Sequence, residues 1–301
     1  MPTLRDYRRA LARALDDLGV YTLTSPTAST LICTLLVNAS PGASTHRYDG
    51  RWLYLAAPIP QQRVVTTGGY NPGDGTLTFA PTATPATAGT EVELTGLFPS
   101  LSVALSEDTD YRTLVNRALA ALLVHDRLTV AITTADSYPI AAYPWLDRME
   151  RLVGVLEPSP VSGRRPVDAG WRGWRLVVDG PTPRLEVNAP FATASGDLTL
   201  DVLRPANTLV NGTDSTTGLV DDTDTAVPAI EEFLPVGLME AYQALMSRTP
   251  GRPNSNWHQK WAEAREMAHR LRAYDRTSEI EATAPPAGSG QAVLPPSVDA
   301  A

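Results

Sequence analysis

The chain is poor in the residue types that most often carry chemistry. It has one cysteine, four histidines and a single lysine, Lys260, among 301 residues. The lone Cys33 cannot form an internal disulfide, and no two histidines have the four-residue spacing that places two metal ligands on one helical face. No Gly-x-Ser-x-Gly turn marks a nucleophile. The sequence therefore predicts no catalytic, cofactor or metal site, and we expect a protein that is not an enzyme.

Positive charge and long apolar runs are also scarce. The formal net charge is -8 at pH 7, which argues against a surface that coats nucleic acid, because clustered basic residues supply most of that affinity. No apolar stretch is long enough to span a membrane, and arginines interrupt residues 1–18, unlike in a signal peptide. We therefore expect no membrane contact, no specific nucleic-acid binding and synthesis in a reducing cytoplasm.

The residues that are present follow two alternating patterns. Apolar residues recur every three or four positions near both ends and once in the middle, which predicts helices. The two long blocks between them are rich in β-branched residues and turn formers, which predicts strands. The expected fold class is α+β, with two antiparallel β blocks of sandwich or barrel type and a shared helical layer formed by the N-terminal, central and C-terminal helices. The predicted segments are an N-terminal helix (1–19), a first β block (20–106), a central helix (107–125), a second β block (126–206), a polar loop (207–228), a C-terminal helical hairpin (229–275) and a flexible tail (276–301).

Local signals refine three of these segments. Asp74-Gly75 predicts a hairpin between the strands on either side, and Gly68-Gly69 inside the first of these strands predicts a β-bulge. Pro235 and Gly237 predict a break or kink near the start of the helix at 229–248. In the N-terminal helix an apolar stripe is expected on one face, with arginine and aspartate on the other. Its members are Leu4, Tyr7, Leu11, Leu15 and Leu18.

The densest acidic stretch precedes the C-terminal helices. It consists of Asp221, Asp222 and Asp224, followed by Glu231 and Glu232. The spacing does not match a calcium-binding EF-hand loop. We interpret it as a solvated acidic loop whose carboxylates cap the following helix.

Four of the six tryptophans are candidate interface residues. Trp171 and Trp174 each lie beside an arginine, and an exposed ring can stack on a sugar. Tryptophan and arginine are also enriched at protein interfaces, and a sheet core holds tryptophan too, so a core position or a protein contact is favoured over sugar binding. Trp257 and Trp261 are one helical turn apart and predict a packing ridge within the C-terminal hairpin.

A recurring order of strands and turns lies between residues 48 and 123. An arginine-bearing strand leads into Gly69-Tyr70 and a turn, a Thr-rich strand ends at Pro81, and a Gly89-Thr90 strand precedes the helix at 111–123. This order is similar to a β module of tailed-phage virion proteins. The terminal helices, the β-rich middle and the Pro- and Ala-rich last residues resemble the plan of phage head-to-tail adaptors.

This resemblance implies a structural virion protein, assembled in the host cytoplasm into a homo-oligomeric ring. Its implied partners are further copies of the chain and the portal and tail proteins, with DNA passing through the channel and no specific nucleic-acid contact. Residues 279–301 are expected to order only on docking. The alternatives are a tail-tube or distal-tail structural protein and a carbohydrate-binding β module.

Overall fold

A computed structural model describes residues 1–38, 42–57, 60–80, 86–101, 109–131, 137–140, 143, 145–146, 151–159, 163–167, 173–177, 184–187, 197–248, 255–271 and 274. In these ranges the protein is mixed α+β, with antiparallel sheets and four helices. The helices are α1 (Leu4–Ala14), α2 (Tyr111–Ala120), α3 (Ile230–Arg248) and α4 (Ser255–His269). None of them is long and apolar enough to cross a membrane.

The strands fall into one large sheet, two smaller sheets and a hairpin. The orders are β1-β7-β4-β5-β6-β3-β2, β11-β10-β14-β8, β12-β13-β9 and β15-β16, and no sheet closes on itself within the described ranges. The strands are β1 (Gly19–Thr22), β2 (Ser25–Pro26), β3 (Thr30–Ile32), β4 (Trp52–Leu55), β5 (Gln61–Asn71), β6 (Thr76–Phe79), β7 (Glu91–Thr95), β8 (Leu123–Ala131), β9 (Ser137–Pro139), β10 (Leu152–Ser159), β11 (Gly163–Val167), β12 (Trp174–Val177), β13 (Arg184–Val187), β14 (Asp197–Pro205), β15 (Leu209–Val210) and β16 (Thr213–Asp214).

The seven-stranded sheet is the first β block, and its central hairpin matches the sequence-based prediction. β5 pairs with β6 across a turn that ends at Gly75. A Cβ on Gly75 would lie 2.2 Å from the carbonyl oxygen of Cys33, so glycine is required by space as well as by its φ of 74°. The β5–β6 register shifts between Val65 and Tyr70, and Gly68 has a φ of 68°. The expected β-bulge is therefore confirmed.

All four helices contribute to one buried cluster, which is the expected helical layer. Tyr7 of α1 meets Phe233 of α3 edge to face, with ring centroids 4.8 Å apart. Phe98, in the segment after β7, meets Tyr111 of α2 at 5.4 Å. These aromatic contacts join α1 to α3 and the segment after β7 to α2.

The second β block has a core of its own, to which both of its sheets contribute. Leu128, Leu198 and Leu200 come from the four-stranded sheet, and Tyr138 and Leu185 come from the three-stranded one. β8 begins three residues after α2, and the backbone N–H of Ala206, just after β14, donates to the carbonyl of Leu122. The block therefore joins the helical layer where these two strands meet the helices.

The structure corrects several boundaries. The central helix ends at Ala120 rather than near residue 125, because the residues that follow pair as β8 with β14. α3 is continuous through Pro235, so the expected break is absent; a kink at this position stays a prediction. The buried side chains of Phe233, Val236 and Met239 hold this part of α3 in the helical core, which offsets the hydrogen bond that proline cannot make.

Other segments contain strands that the sequence pattern did not reveal. The stretch at 207–228 is not only a loop, since Asn211 and Gly212, both at positive φ, turn the hairpin of β15 and β16. β9 and β11 were not predicted, and each contains a proline, which weakens a strand signal. The tail at 276–301 lies outside the described residues.

Candidate functional site

Of the two tryptophans considered as a surface pair, only Trp174 lies within the described residues. Trp171 is outside the described residues. Trp174 lies on β12, is 3% exposed and belongs to the core of the second block. A ring buried in this way has no open face on which a sugar can stack. Among the alternatives for Trp174, its burial supports the core position.

Trp257 and Trp261 lie on α4 at the border of the helical layer. Both are half-buried and pack against the helical core, which confirms the expected packing ridge. The guanidinium of Arg265 lies 5.3 Å from the ring centroid of Trp261. A contact of these rings with another subunit stays a prediction.

Arg8 forms a buried charged contact between α1, the first β block and the acidic stretch. Its guanidinium donates to Glu93 Oε2 of β7 at 3.0 Å and to Asp222 Oδ1 at 2.6 Å. It also lies 4.6 Å from the ring centroid of Tyr54 of β4. The hydroxyl of Tyr54 donates to the other carboxylate oxygen of Asp222 at 2.6 Å. These four residues are the Arg8 joint.

Burial decides the electrostatics of the Arg8 joint. The side chains of Arg8 and Glu93 are only 1% and 3% exposed. Burial alone would lower the pKa of Arg8, but the facing carboxylates of Glu93 and Asp222 outweigh it and raise that pKa. Burial, together with Asp222, raises the pKa of Tyr54, so its hydroxyl stays protonated and donates. Removing one charged partner would therefore leave an uncompensated charge in a low-dielectric site.

Two further arginines extend this contact towards solvent. Arg9 donates to Glu93 Oε1 and to Glu91 Oε2, both at 2.7 Å. Arg5 donates to Glu91 Oε2 at 2.7 Å, and the hydrogen bond from Arg9 lowers the pKa of Glu91. Glu91 and Glu93 are two positions apart on β7 and so face the same side. A row of ion pairs thus holds α1 on the sheet.

The acidic stretch is not solvated throughout, which corrects the sequence-based interpretation. The Asp222 carboxylate lies in the Arg8 joint, where it balances the buried positive charge of Arg8. Asp224 accepts backbone hydrogen bonds from Val220 and Asp221. Glu232 accepts from the backbone N–H of Ala229 at 3.3 Å, so the expected capping of α3 is confirmed. The loop closes over α1 as a structural element.

The burial of Arg8 was missed in the sequence, where arginine was assigned to the polar face of α1. Arg8 lies four residues after Leu4 and three before Leu11, which places it on the apolar stripe. That spacing was the available signal. Its partner Asp222 is 214 positions away, and no local pattern links the two.

Asp17 forms a second polar contact, at the end of β7. Its carboxylate accepts from the backbone N–H groups of Gly96 and Leu97 at 2.6 and 2.9 Å, and from the hydroxyl of Tyr111 at 2.8 Å. Arg248 of α3 donates to the carbonyl of Leu97 at 2.6 Å. These hydrogen bonds connect the segment after β7 with the segment after α1 and with helices α2 and α3.

Arg204 is a buried arginine of the second β block and corresponds to Arg8 of the helical layer. It is 1% exposed, donates to Asp126 Oδ2 of β8 at 2.8 Å and pairs with Asp214 Oδ1 of β16 at 2.7 Å. Its remaining N–H groups donate to the hydroxyl and carbonyl oxygens of Thr208. The ring of Trp145 lies over the guanidinium, at 5.0 Å. These five residues are the Arg204 joint, which connects β8, β14 and the β15–β16 hairpin.

The described ranges hold no group of three or more His, Cys, Asp or Glu side chains that could bind a metal ion. Burial raises the pKa of Cys33 to about 11, which keeps the thiol protonated and unreactive at neutral pH. His46 pairs with Asp49 Oδ2 at 2.6 Å on an exposed turn. The polar side chains that the structure brings together are therefore those that join its layers.

Comparison with known proteins identifies no family and no relative of this chain. No protein-family model, curated protein or solved structure matches the chain. A functional proposal therefore rests on this geometry and on the resemblance in the sequence.

Proposed function

We propose that the chain is a structural protein of a tailed-phage virion, located at the head-to-tail junction, where copies form a ring between portal and tail. The ring is assembled in the host cytoplasm and becomes part of the particle. Its partners are further copies of the chain and the portal and tail proteins. DNA passes through the channel without specific binding, and no residue performs catalysis in this role.

The observation that carries the proposal is the pair of buried arginines that attach the first β block to the helical layer and the second β block to the β15–β16 hairpin. The Arg8 joint fixes the first block, and the Arg204 joint fixes the hairpin between the second block and the helices. A buried arginine with several hydrogen-bonded partners imposes a defined geometry on the elements it joins. A subunit of fixed shape is what a closed ring requires, since small errors in angle prevent closure.

The edge of the four-stranded sheet supports assembly between copies. β8 has nine residues, and β14 is the only strand that pairs with it within the described ranges. The open edge of a long strand presents backbone donors and acceptors that a neighbouring chain can use. A ring needs two different surfaces on each subunit, and this edge supplies a candidate for one of them.

We further propose that the second β block is a sandwich. Its four-stranded and three-stranded sheets contribute to one buried cluster, as the inner faces of two packed sheets do. The net charge of -8 supports a channel role, because an acidic lining repels the DNA backbone and lets it slide.

The experiment that tests the ring is mass photometry with negative-stain electron microscopy of the purified full chain over a micromolar concentration series. We expect closed rings of uniform size. The double variant Thr129→Lys/Ala131→Lys, at exposed positions of β8, should prevent ring formation because lysine blocks strand pairing at an edge.

The matched control is Thr66→Lys, at an exposed position of β5 in the middle of the large sheet. This variant should form rings like the unchanged chain. Monomers at every concentration would contradict the proposal, and open tubes in place of single rings would assign the chain to the tail.

A further inference from the structure

The register of the four-stranded sheet decides which backbone groups of β8 face its open edge. β8 pairs with β14 along its whole length, and the N–H of Ala206 donates to the carbonyl oxygen of Leu122 at 2.8 Å, one step beyond the two strands. In an antiparallel ladder, every second pair exchanges its backbone hydrogen bonds, and the residues between direct their N–H and carbonyl groups outward. Leu122 and the even-numbered residues of β8 therefore bond to β14.

The odd-numbered residues of β8 form the open edge. They are Leu123, His125, Arg127, Thr129 and Ala131. The side chains of the last four are exposed, whereas the even-numbered Leu128 is 6% exposed and belongs to the core of the block. Arg127 is the central residue of this edge.

The backbone donor of Arg127 is already used within the chain. Its N–H donates to Asp126 Oδ1 at 2.8 Å. The other carboxylate oxygen, Asp126 Oδ2, accepts from the Arg204 guanidinium at 2.8 Å, and the side chain of Arg204 is 1% exposed. The Arg204 joint therefore holds the Asp126 carboxylate where a carbonyl oxygen of an added strand would bind.

The contact between Asp126 and Arg127 also opposes strand pairing energetically. A hydrogen bond to a carboxylate is stronger than one to a neutral carbonyl, so an incoming carbonyl replaces Asp126 Oδ1 at a loss. The side chain of Arg127 offers no alternative partner for Asp126, because its Nε donates to Asp201 Oδ1 of β14 at 2.9 Å. Charged groups at an edge are among the features by which proteins prevent unwanted pairing.

The two ends of the edge differ in access. At its start, Tyr274 forms an antiparallel bridge with Leu122, directly before β8. At its other end, no described strand pairs with Thr129 or Ala131 on the outward side. A second chain can therefore reach the edge most easily at Thr129 and Ala131.

We propose that Asp126 blocks the middle of the β8 edge, as an autoinhibitory contact that delays pairing with a second copy of this chain. The second copy pairs first at Thr129 and Ala131. The Arg127 N–H then passes from Asp126 Oδ1 to a carbonyl oxygen of the added strand, and Asp126 keeps its ion pair with Arg204. Because the second copy belongs to the proposed ring, this role of Asp126 rests on that function, whereas its hydrogen bond to Arg127 does not.

The first test is hydrogen exchange of the full chain, resolved to single amides by mass spectrometry, at a concentration low enough to keep it monomeric. After correction for intrinsic rates, the Arg127 amide should exchange about 10-fold more slowly than the Thr129 amide. Asp126→Ala should remove this difference. The matched control Asp214→Ala removes the other carboxylate bound by Arg204 and should leave the difference unchanged, which separates a direct contact from a general loosening of the joint.

The second test is mass photometry of the same three proteins. Asp126→Ala should assemble at a concentration about 10-fold lower than the unchanged chain, and Asp214→Ala at the same concentration as the unchanged chain. Equal exchange of the Arg127 and Thr129 amides in the unchanged chain would overturn the proposal even if rings form, and so would weaker assembly of Asp126→Ala. Monomers of all three proteins, with a slow Arg127 amide, would instead contradict the ring and with it the regulation of its assembly.

Discussion

Each β block is attached to the rest of the molecule by a buried arginine, and the two arginines differ in how exposed their carboxylate partners are. Each joint is built around one arginine that is 1% exposed, paired with two carboxylates and placed over an aromatic ring. In the Arg8 joint, the carboxylate side chains of Glu93 and Asp222 are 3% and 15% exposed. In the Arg204 joint, those of Asp126 and Asp214 are 27% and 60% exposed.

This difference decides what happens when the arginine is lost. A carboxylate that can reach water is rehydrated, whereas an enclosed one is left as an uncompensated charge. We therefore expect the first block to depend on its joint more strongly than the second block does. Three of the next four predictions test this comparison, and the prediction for Glu240 tests the effect of burial on a carboxylate elsewhere in the helical core.

The largest effect is expected for Arg8→Met, which keeps the length of the side chain and removes its charge. The free energy of unfolding should fall by about 3 kcal/mol, because Asp222 loses its cation and the buried Glu93 keeps only Arg9 and Arg5 on its other carboxylate oxygen. Urea denaturation at pH 7 measures this loss. Adding Glu93→Gln should recover part of it, and a loss below that of Arg204→Met would contradict the comparison.

The matched variant Arg204→Met should cost less, about 1–2 kcal/mol, mainly through the lost hydrogen bonds to Thr208. Its carboxylate partners turn to solvent. Hydrogen exchange should quicken in the β15–β16 hairpin and remain unchanged in the seven-stranded sheet. Faster exchange in both regions would show that the two joints are not independent.

Glu240 of α3 offers a pH-dependent comparison, since burial raises its pKa and Arg117 offsets only part of that shift. The pKa of Glu240 is higher in the folded protein than its value of about 4.5 in the unfolded chain. The contribution of Glu240 to stability is therefore fully present below pH 4.5, and it is lost as the pH rises through the pKa of the folded state. Glu240→Gln should therefore stabilise the protein at pH 8, on the order of 1 kcal/mol, and have no effect at pH 4. Thermal unfolding at both pH values measures this, and equal effects at the two would refute it.

The smallest effect is expected for Glu91→Gln, at the open end of the ion-pair row on α1. The side chain of Glu91 is 45% exposed, and ion pairs in such positions contribute less than about 1 kcal/mol. The same urea measurement, repeated at high salt, should show little difference from the unchanged protein. A loss as large as that of Arg8→Met would mean that exposure does not decide the strength of these contacts.

The comparison also shows which features of the structure can be predicted from the sequence alone. The apolar stripe at Leu4, Tyr7 and Leu11, the turn at Gly75 and the bulge at Gly68 all have local signals, and each matches the structure. The charged joints do not have such signals, because each arginine pairs with at least one carboxylate on a distant segment. Asp126, for example, is 78 positions from Arg204. Their formation depends on the tertiary fold, which local periodicity does not encode.

The central claim, a structural role at the head-to-tail junction, is tested most directly on the particle. An antibody raised against the chain, detected with gold on phage virions by electron microscopy, should label one narrow zone at the neck. The control is the same antibody pre-absorbed with the purified chain. Label along or at the far end of the tail would contradict the junction assignment, and virions left unlabelled while the epitope is accessible would contradict the virion role itself.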